Sequence, residues 1–358
     1  MRNQSPVTFK IVNALLLCIL CLLLAWGFTK RGEIAQYSPI SLRYDTPVSG
    51  KSAYAARQYS ISHSGGNNGS SNGSGGGSAF WLTFWREHKS EFKGEFASAD
   101  ADCIAYSGDA SLVWPGEYIT GSAPGVTDGS SCVLSESLAV RIFGSTDVTG
   151  MKVEVDGETR IIRGVIKGNS DLALISFRDD DTSRSWTAAE LSGGPENASR
   201  SDAESFAILS GLGKPDAILT GGYMLAAGFL AVLPLLILTI CVLALMVRFL
   251  RNAFPSAHGT VFFICFIALA CTVPLIVSAL PAWLIPTSWS DFSFWSSLLG
   301  SAADGLQEFI NAAPRLRDAV LKTLLLTQAG IAFFAVCASI ALCFRLSGDR
   351  MTRQRFLL

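Results

Sequence analysis

Four long apolar runs constrain this chain more than any other feature of its sequence. Each run can cross a bilayer as a helix, because a span needs about 20 predominantly apolar residues. Only 16% of the residues are charged and the mean hydropathy is +0.37, values typical of a partly embedded protein. The sequence predicts a multi-span α-helical membrane protein with four transmembrane helices, at residues 11–28, 223–247, 261–285 and 324–344.

Basic residues near the ends of the spans predict the topology. With both termini in the cytosol, the three inner segments carry eight basic residues and one acid, Asp349. Five basic residues also flank the outer ends, so the positive-inside bias is incomplete. A cleaved signal peptide is the rival interpretation of the first run. The predicted location is the plasma membrane, with residues 29–221 outside the cytosol.

Composition divides the chain into five predicted parts. A Gly/Ser/Asn-rich stretch ends the second part, which we expect to be a flexible linker because it offers little surface to bury. In the outer loop between the last two spans, Phe309, Ile310 and Leu316 favour a small helical shoulder. The parts are a tail with the first span (1–28), the linker (29–78), an outer core domain (79–221), the remaining spans with outer loop 287–322 (222–345), and a basic cytosolic tail (346–358).

The first part of the outer domain contains an aromatic group, Phe80, Trp81, Phe84 and Trp85. Its spacing predicts a helix that packs on a core, with a membrane-lying helix as the alternative. Beyond it we expect three short strands and a polar, turn-rich segment. The strands are predicted at residues 103–106, 112–114 and 172–177, and the turn-rich segment at residues 178–197.

Residues 133–165 form a compact β-α-β-β pattern. Ser135 is a good N-cap for a short amphipathic helix, and Gly144 stands where that helix should end. Residues 151–156 then alternate between apolar and polar, as in a half-buried strand. Asp156-Gly157 predicts a tight hairpin turn, because both central residues need positive φ. The outer domain is therefore predicted to be an α+β domain between the first and second spans.

This pattern resembles the periplasmic core domain of MacB-like (FtsX-type) ABC transporter permeases. The match covers 33 of the 358 residues and concerns fold rather than chemistry. In that family a short helix ending in L/I-F-G, a D-x-x-G turn, a K-x-(V/I)-x-(V/I)-x-G hairpin and a G-V exit follow in this order, and residues 152–157 stand at the hairpin here. The residues that carry this fold signature are Phe143, Gly144, Gly150, Asp156, Gly157 and Gly164.

The resemblance implies a permease-like membrane subunit of an ABC-type envelope complex. Such a subunit relays ATPase motion to its extracytoplasmic domain, for export or mechanotransmission. This sequence has no nucleotide-binding motif, so ATP would act only through a separately encoded ABC ATPase. The resemblance also implies a homodimer, or a heterodimer with a related permease. The alternative is a non-transporting, membrane-anchored binding or sensor protein that kept the outer fold but lost ATPase coupling.

Two cytosolic segments hold the candidate ATPase contacts. The loop after the second span is shorter than in the family, and its basic and aromatic residues match a coupling helix only in part. The alternative is that these residues are ordinary positive-inside anchors. The candidates are Arg248, Phe249, Arg251 and Phe254 in the loop, and Arg350, Arg353 and Arg355 in the tail.

The sequence shows no constellation typical of an enzyme. Its three histidines, His63, His88 and His258, stand near no suggestive nucleophile or carboxylate pattern. No Cys/His metal framework and no acid within the spans is present. Net charge is −1 and no basic run carries interleaved aromatics, which argues against nucleic acid. We therefore expect no enzymatic activity and no cofactor in this chain.

Cys103 and Cys132 are the cysteines outside the apolar runs. A domain outside the cytosol favours a disulfide between them, which would stabilise the fold by roughly 3–4 kcal/mol. Two buried free thiols are the alternative.

Overall fold

The computed structural model describes residues 6–37, 40–64, 80–95, 97–193, 200–253, 292–312 and 315–354. They belong to two compact units. The helical unit consists of Met1–Ile34, Met224–Ala302 and Lys322–Leu358, and the β-unit consists of Ala35–Tyr223 and Ala303–Leu321.

The described elements are eight helices and ten strands. The helices are α1 (Pro6–Ala35), α2 (Gly50–Ser64), α3 (Ala110–Val113), α4 (Glu136–Phe143), α5 (Arg200–Leu209), α6 (Gly222–Ala253), α7 (Phe292–Asn311) and α8 (Leu316–Gln354). The strands are β1 (Ile40–Ser49), β2 (Trp81–Lys93), β3 (Ser98–Ser107), β4 (Tyr118–Gly121), β5 (Ser131–Ser135), β6 (Lys152–Val155), β7 (Glu158–Ile166), β8 (Leu172–Ser176), β9 (Ser185–Ser192) and β10 (Ala217–Leu219).

Three described helices are long and apolar enough to cross a membrane, as expected of a multi-pass membrane protein. The stretches are Ile11–Ala35, Gly222–Leu245 and Leu316–Leu346. They confirm three of the predicted spans, although each helix extends beyond its predicted limits. The predicted span at residues 261–285 lies outside the described residues.

Small residues bring the helices of the helical unit together. A Cβ at Gly27 of α1 would lie 3.5 Å from the Cγ2 of Ile331 on α8. Ala227 of α6 and Ala335 of α8 are fully or almost fully buried. Membrane helices associate in this way because small side chains let the backbones approach closely.

The β-unit is built on a mixed ten-stranded sheet. Its strand order is β10-β1-β9-β2-β3-β8-β5-β7-β4, and β6 joins β2 to β7. The pairs β3/β8 and β5/β7 are parallel, and the other pairs are antiparallel. One face carries the larger apolar core, which includes residues of α2, α4 and α5. The opposite face carries a smaller core around Trp85 and Tyr106, with residues of α3 and Leu316 of α8.

The β-α-β-β pattern is confirmed in detail. The Ser135 hydroxyl accepts a hydrogen bond from the amide of Leu138 and caps α4, and Gly144 ends α4 in the left-handed region at φ 70°. Strands β6 and β7 form the hairpin, with φ of 51° at Asp156 and 80° at Gly157. Local turn and capping chemistry therefore determined this part of the fold.

The predicted linker is wrong over residues 40–64. This segment forms β1 and α2, and Leu42, Ala53 and Ala56 enter the larger core. Ile40, Leu42 and Tyr44 alternate with polar residues, which is the period of a strand. The core domain therefore begins near residue 40 instead of residue 79, and residues 65–79 lie outside the described residues.

The helix predicted from the aromatic group is also wrong, because these residues begin β2. Phe80 and Phe84 enter the larger core, whereas Trp85 enters the smaller core. The aromatic side chains thus serve two opposite faces, as alternate residues of a strand do. Spacing that fits one side of a helix can equally fit two sides of a strand.

Two further predictions in the β-unit need correction. The strand predicted at residues 112–114 is wrong, because Asp109 caps the short helix α3. The predicted strand at residues 172–177 is confirmed as β8, but the turn-rich segment after it contains β9. The predicted helical shoulder corresponds to α7 and the start of α8.

The predicted disulfide is not present in the structure. Cys103 and Cys132 are free, buried thiols on β3 and β5. Strand β8 lies between these strands, paired to both. Two strand spacings separate the Cα atoms by at least ~9.5 Å, beyond the ~7 Å limit for a disulfide. Burial raises the pKa of each thiol to about 12, so both are inert.

Candidate functional site

Three neighbouring strands present polar side chains on the face of the smaller core. Ser41 of β1 lies opposite Glu190 of β9. Two positions along, Arg43 of β1 and Trp85 of β2 both pair with Ala188 of β9. Because paired and alternate residues share a face, these polar groups converge above β9.

Glu190 is the centre of this group and is fully buried. Its Oε1 accepts hydrogen bonds from Ser41 Oγ at 2.5 Å, Trp85 Nε1 at 2.8 Å and Arg43 Nη1 at 3.2 Å. Arg317 Nη1 lies 3.1 Å from the same oxygen. One carboxylate oxygen thus joins β1, β2 and β9 to the first turn of α8.

The start of α8 completes the group with a further ion pair. Arg43 Nη2 donates to Asp318 Oδ1 at 2.8 Å, and both side chains are almost fully buried. Arg317 Nη2 donates to the carbonyl of Leu112 at 3.3 Å. We call Arg43, Glu190, Arg317 and Asp318 the root cluster. Its two arginines and two carboxylates balance in charge, as buried ions require.

Aromatic rings enclose the arginines of this region. The Arg43 guanidinium carbon lies 4.7 Å from the centroid of Trp85, and that of Arg317 lies 5.2 Å from Tyr37. Arg315 lies 5.6 Å from Trp85 and donates to the backbone and hydroxyl oxygens of Thr187. Cation–π contacts of this kind are strongest where water is excluded.

Glu87 of β2 caps the N-terminus of α8 by accepting the backbone N–H groups of Leu316 and Arg317. Burial raises the pKa of Glu87, and these hydrogen bonds oppose the shift only in part. For Arg43, burial alone would lower the pKa, but attraction by Asp318 and Glu190 outweighs it, and the pKa is raised. The arginine of the root cluster on β1 therefore stays charged.

This arrangement is suited to holding a helix rather than to chemistry. The described residues contain no group of three or more His, Cys, Asp or Glu side chains placed to hold a metal ion. In the root cluster every carboxylate faces an arginine, and no nucleophile lies among its four members. Removing one partner of a buried ion pair typically costs about 3–5 kcal/mol. Displacing the start of α8 from the sheet would therefore cost a comparable amount of free energy.

The structure places the candidate ATPase contacts but does not test their role. Arg248, Phe249 and Arg251 lie in the last turns of α6, and Arg350 and Arg353 lie in the last turns of α8. Phe254 and Arg355 lie outside the described residues.

The fold-signature residues lie in the β-unit, away from any ion pair of the root cluster. Phe143 packs against the larger core. Gly150 has a φ of 87°, typical of a turn. A Cβ at Gly164 would come within 2.9 Å of the backbone oxygen of Ser122, so a side chain there would clash. These residues shape the fold and have no part in the site.

The sequence patterns do not reveal the root cluster. Arg43 fell in the predicted linker, Glu190 in the turn-rich segment, and Arg317 among the outer flanking charges. One signal was present: Arg43 alternates with Leu42 and Tyr44 in a strand pattern, and a charge inside such a strand needs a partner. Nothing local identifies the partner, because Asp318 is 275 residues away.

Comparison with known proteins gives weak similarities in fold. No protein-family model and no curated protein matches the chain. The extracellular domain of the noncanonic ABC-type transporter YknZ from Gram-positive bacteria is 12% identical, with a TM-score of 0.37 over 51% of this chain and 97% of that chain. The periplasmic region of MacB from Actinobacillus actinomycetemcomitans is 14% identical, with a TM-score of 0.35 over 51% and 87%.

A third similar structure is a domain of a Porphyromonas gingivalis protein described as a permease. It is 14% identical, with a TM-score of 0.32 over 49% of this chain and 83% of that chain. The TM-scores of all three structures are too low to carry an argument about function, which must come from the residues of this chain.

Proposed function

We propose that this chain is a permease-like membrane subunit that relays motion from its helices to its β-unit. The root cluster supports this proposal most directly. Helix α8 is continuous from Leu316 to Gln354, and its residues 316–321 belong to the β-unit. One helix therefore supplies residues to both units.

The ion pairs of the root cluster favour a connection in which the sheet moves with the start of α8, rather than a flexible connection between them. If residues 316–321 moved away from the sheet, Arg43 would lose Asp318 and Glu190 would lose Arg317. Each loss would leave a buried charge without its partner, at a cost of about 3–5 kcal/mol. Strands β1 and β9 would therefore follow a displacement of the helix. Switching machines use such rigid elements to pass small shifts between domains.

The energy for this motion would come from a separate protein. A separately encoded ABC ATPase would act from the cytosol on Arg248, Phe249, Arg251 and Phe254, and on the tail residues Arg350, Arg353 and Arg355. Both termini would be cytosolic, the β-unit would lie outside the plasma membrane, and the chain would work as a homodimer or with a related permease. The basic residues of the inner segments support this orientation.

Purification of the tagged full-length chain from its native membranes in mild detergent tests the proposal. We expect recovery of a protein with a Walker motif in a stoichiometric amount. The double substitution Arg248→Ala and Arg251→Ala should remove most of it. A matched control replaces two exposed arginines of the β-unit, Arg163 and Arg178, which pair with Asp128 and Asp180. That control should leave recovery unchanged.

Two outcomes would contradict the proposal. One is a chain that never recovers an ATPase, and the other is recovery that ignores Arg248 and Arg251 as it ignores the control arginines. Either outcome favours the alternative, a non-transporting binding or sensor protein. The loop that the sequence predicts after the second span, residues 248–259, is short, and this favours the alternative.

A further inference from the structure

Strand β2 begins with an exposed tryptophan at one end of the central strands. Trp81 is 65% exposed and pairs with Ser192, the last residue of β9. On the other side of β9, Ile40 begins β1 and pairs with Leu191. Leu219 ends β10 beside the second residue of β1. We call this end of the four strands the tryptophan end of the sheet.

Two apolar helices connect to the tryptophan end through short segments. The apolar stretch of α1 ends at Ala35, five residues before Ile40. The apolar stretch of α6 begins at Gly222, three residues after Leu219. An extended chain covers at most ~3.6 Å per residue, so these segments reach no farther than about 18 Å and about 11 Å. Both apolar stretches therefore lie close to the strand ends.

Helix α8 runs toward the same end of the sheet. Arg315, the residue before α8, donates to the backbone and hydroxyl oxygens of Thr187 on β9. In the first turn of α8, Arg317 Nη1 lies 3.1 Å from Glu190 Oε1. The contacts thus advance along β9 toward Ser192 as the helix proceeds. Three apolar stretches therefore start or end near the tryptophan end.

Two more large apolar side chains are exposed near Phe80, which precedes the first residue of β2. Ser60 of α2 donates its hydroxyl to the Phe80 carbonyl, and the next residue, Ile61, is 54% exposed. On α5, the Phe206 ring packs edge-on against Phe80, with centroids 5.1 Å apart. Leu209, one turn farther along α5, is 66% exposed. Exposed apolar side chains that gather in one place mark an interaction surface.

The exposed side chains flank the tryptophan end on both faces of the sheet. Helices α2 and α5 cover the face of the larger core. Trp81 lies on the opposite face, because it alternates along β2 with Trp85 of the smaller core. Apolar side chains on both faces of one end are suited to insertion of that end into an interface. A protein docked on a single face would contact only some of them.

We propose that Trp81, Ile61 and Leu209 form a lipid-binding patch that rests in the headgroup region of the bilayer. Tryptophan is enriched at membrane–water interfaces, where its ring contacts apolar groups while its N–H stays hydrated. The nearby apolar stretches bring a bilayer to this end of the sheet and to no distant part of it. The patch goes beyond the proposed function, because it binds lipid whether or not an ATPase acts on the chain.

Photo-cross-linking in the full-length protein tests the patch. A benzophenone amino acid replaces Trp81 or Ile61, one at a time, and the protein is reconstituted in vesicles of phosphatidylethanolamine and phosphatidylglycerol. Irradiation couples the benzophenone to C–H bonds in contact with it, and mass spectrometry of the peptide identifies what was captured. The matched control is Ile119, which is 42% exposed on β4 at the far end of the strand order. We expect several-fold more lipid adduct at positions 81 and 61 than at position 119.

Lipid capture at positions 81 and 61 that does not exceed capture at position 119 would overturn the proposal. Adducts mainly to a second protein, or to another segment of this chain, would also overturn it. A second variant gives an independent reading at position 61. There Trp81→Asp should lower lipid capture several-fold, whereas Trp81→Phe should leave it nearly unchanged. Equal capture in these two variants contradicts a shared patch.

These measurements need no ATPase, so the two proposals fail separately. Lipid capture at positions 81 and 61 without recovery of an ATPase leaves the patch standing while the proposed function fails. Recovery of an ATPase without lipid capture gives the reverse.

Discussion

The β-unit and the helical unit differ in the polar side chains that they bury. In the β-unit, the root cluster buries four charged side chains and pairs them across two strands and a helix. Among the residues of the helical unit whose side chains are described, only Gln328 and Ser339 are polar and buried. The helices there pack through small residues, and Arg345 Nε donates to Asn13 Oδ1 at 3.0 Å.

This difference indicates which parts of the molecule can rearrange at a low cost in free energy. Polar contacts between membrane helices contribute only about 0.6 kcal/mol each on average, so we expect helices to shift against each other at low cost. A buried ion cluster has one good geometry and a high penalty for leaving it. We therefore expect rearrangement within the helical unit, while residues 316–321 stay with the sheet.

The largest expected effect comes from Glu190→Leu. This substitution leaves Arg43, Arg317 and the Trp85 indole N–H without their shared acceptor. The free energy of unfolding of the β-unit should fall by about 3–5 kcal/mol. Denaturant unfolding in detergent measures this loss.

The matched control for this substitution is Glu117→Leu. Glu117 pairs with Lys167, and both side chains are mostly exposed. Such pairs contribute about 0–1 kcal/mol, so the control should be nearly neutral. Similar losses for the two variants would remove the distinction between the root cluster and an ordinary surface pair.

A smaller effect is expected when one polar pair of the β-unit is compared with one polar pair of the helical unit. A double-mutant cycle on Arg43→Met and Asp318→Leu should give an interaction energy of about 1–3 kcal/mol, because the pair is buried and in contact. The same cycle on Asn13→Leu and Arg345→Leu should give about 0.6 kcal/mol, as is usual between membrane helices. Unfolding in a denaturing detergent gives both values. An equal or larger energy for the Asn13–Arg345 pair would reverse the comparison.

Lowering the pH should lower the free energy of unfolding of the β-unit through His88, which lies outside the root cluster. Burial, with Arg86 nearby, lowers the pKa of His88 from its ordinary value of 6.5, and Asp156 opposes this only in part. The unfolded chain therefore binds the proton more tightly, so stability is lost as the pH falls below 6.5 toward the folded pKa. Unfolding at several pH values should show this loss in the wild type and a flatter profile for His88→Asn. An unchanged profile in His88→Asn would place the acid sensitivity elsewhere.

The smallest expected effect is that of a reductant. Because Cys103 and Cys132 are free thiols, reduction should leave the midpoint of thermal unfolding unchanged. A disulfide closing this loop would instead contribute roughly 3–4 kcal/mol. Thermal unfolding with and without reductant decides between these cases, and Cys132→Ala shows whether any shift belongs to this pair.

The sequence predicted those parts of the fold that depend on interactions between residues close together in the chain. The cap at Ser135, the stop at Gly144 and the hairpin at Asp156-Gly157 were predicted because each depends on neighbours within a few residues. Three of the four predicted membrane spans match described helices, because a run of about 20 apolar residues is compatible with few other structures. Strand β9 was missed, since a short central strand can carry polar residues when distant groups satisfy them.

The candidate site was beyond prediction for the same physical reason. Glu190 is stable in the core only because residues from β1, β2 and α8 reach it, and the separation from Ser41 alone is 149 residues. A single sequence shows each charge but not its partner. The predicted disulfide failed on a related point, because the intervening strand β8 follows both cysteines in the chain.

Amide hydrogen exchange of the full-length protein tests the central claim most directly. If residues 316–321 are fixed to the sheet, their protected amides should open with the same free energy as those of β9, and Glu190→Leu should lower both together. The amides around Gln328, farther along α8, should keep their protection in that variant. Exchange at residues 316–321 that follows Gln328 and ignores Glu190→Leu would contradict the account.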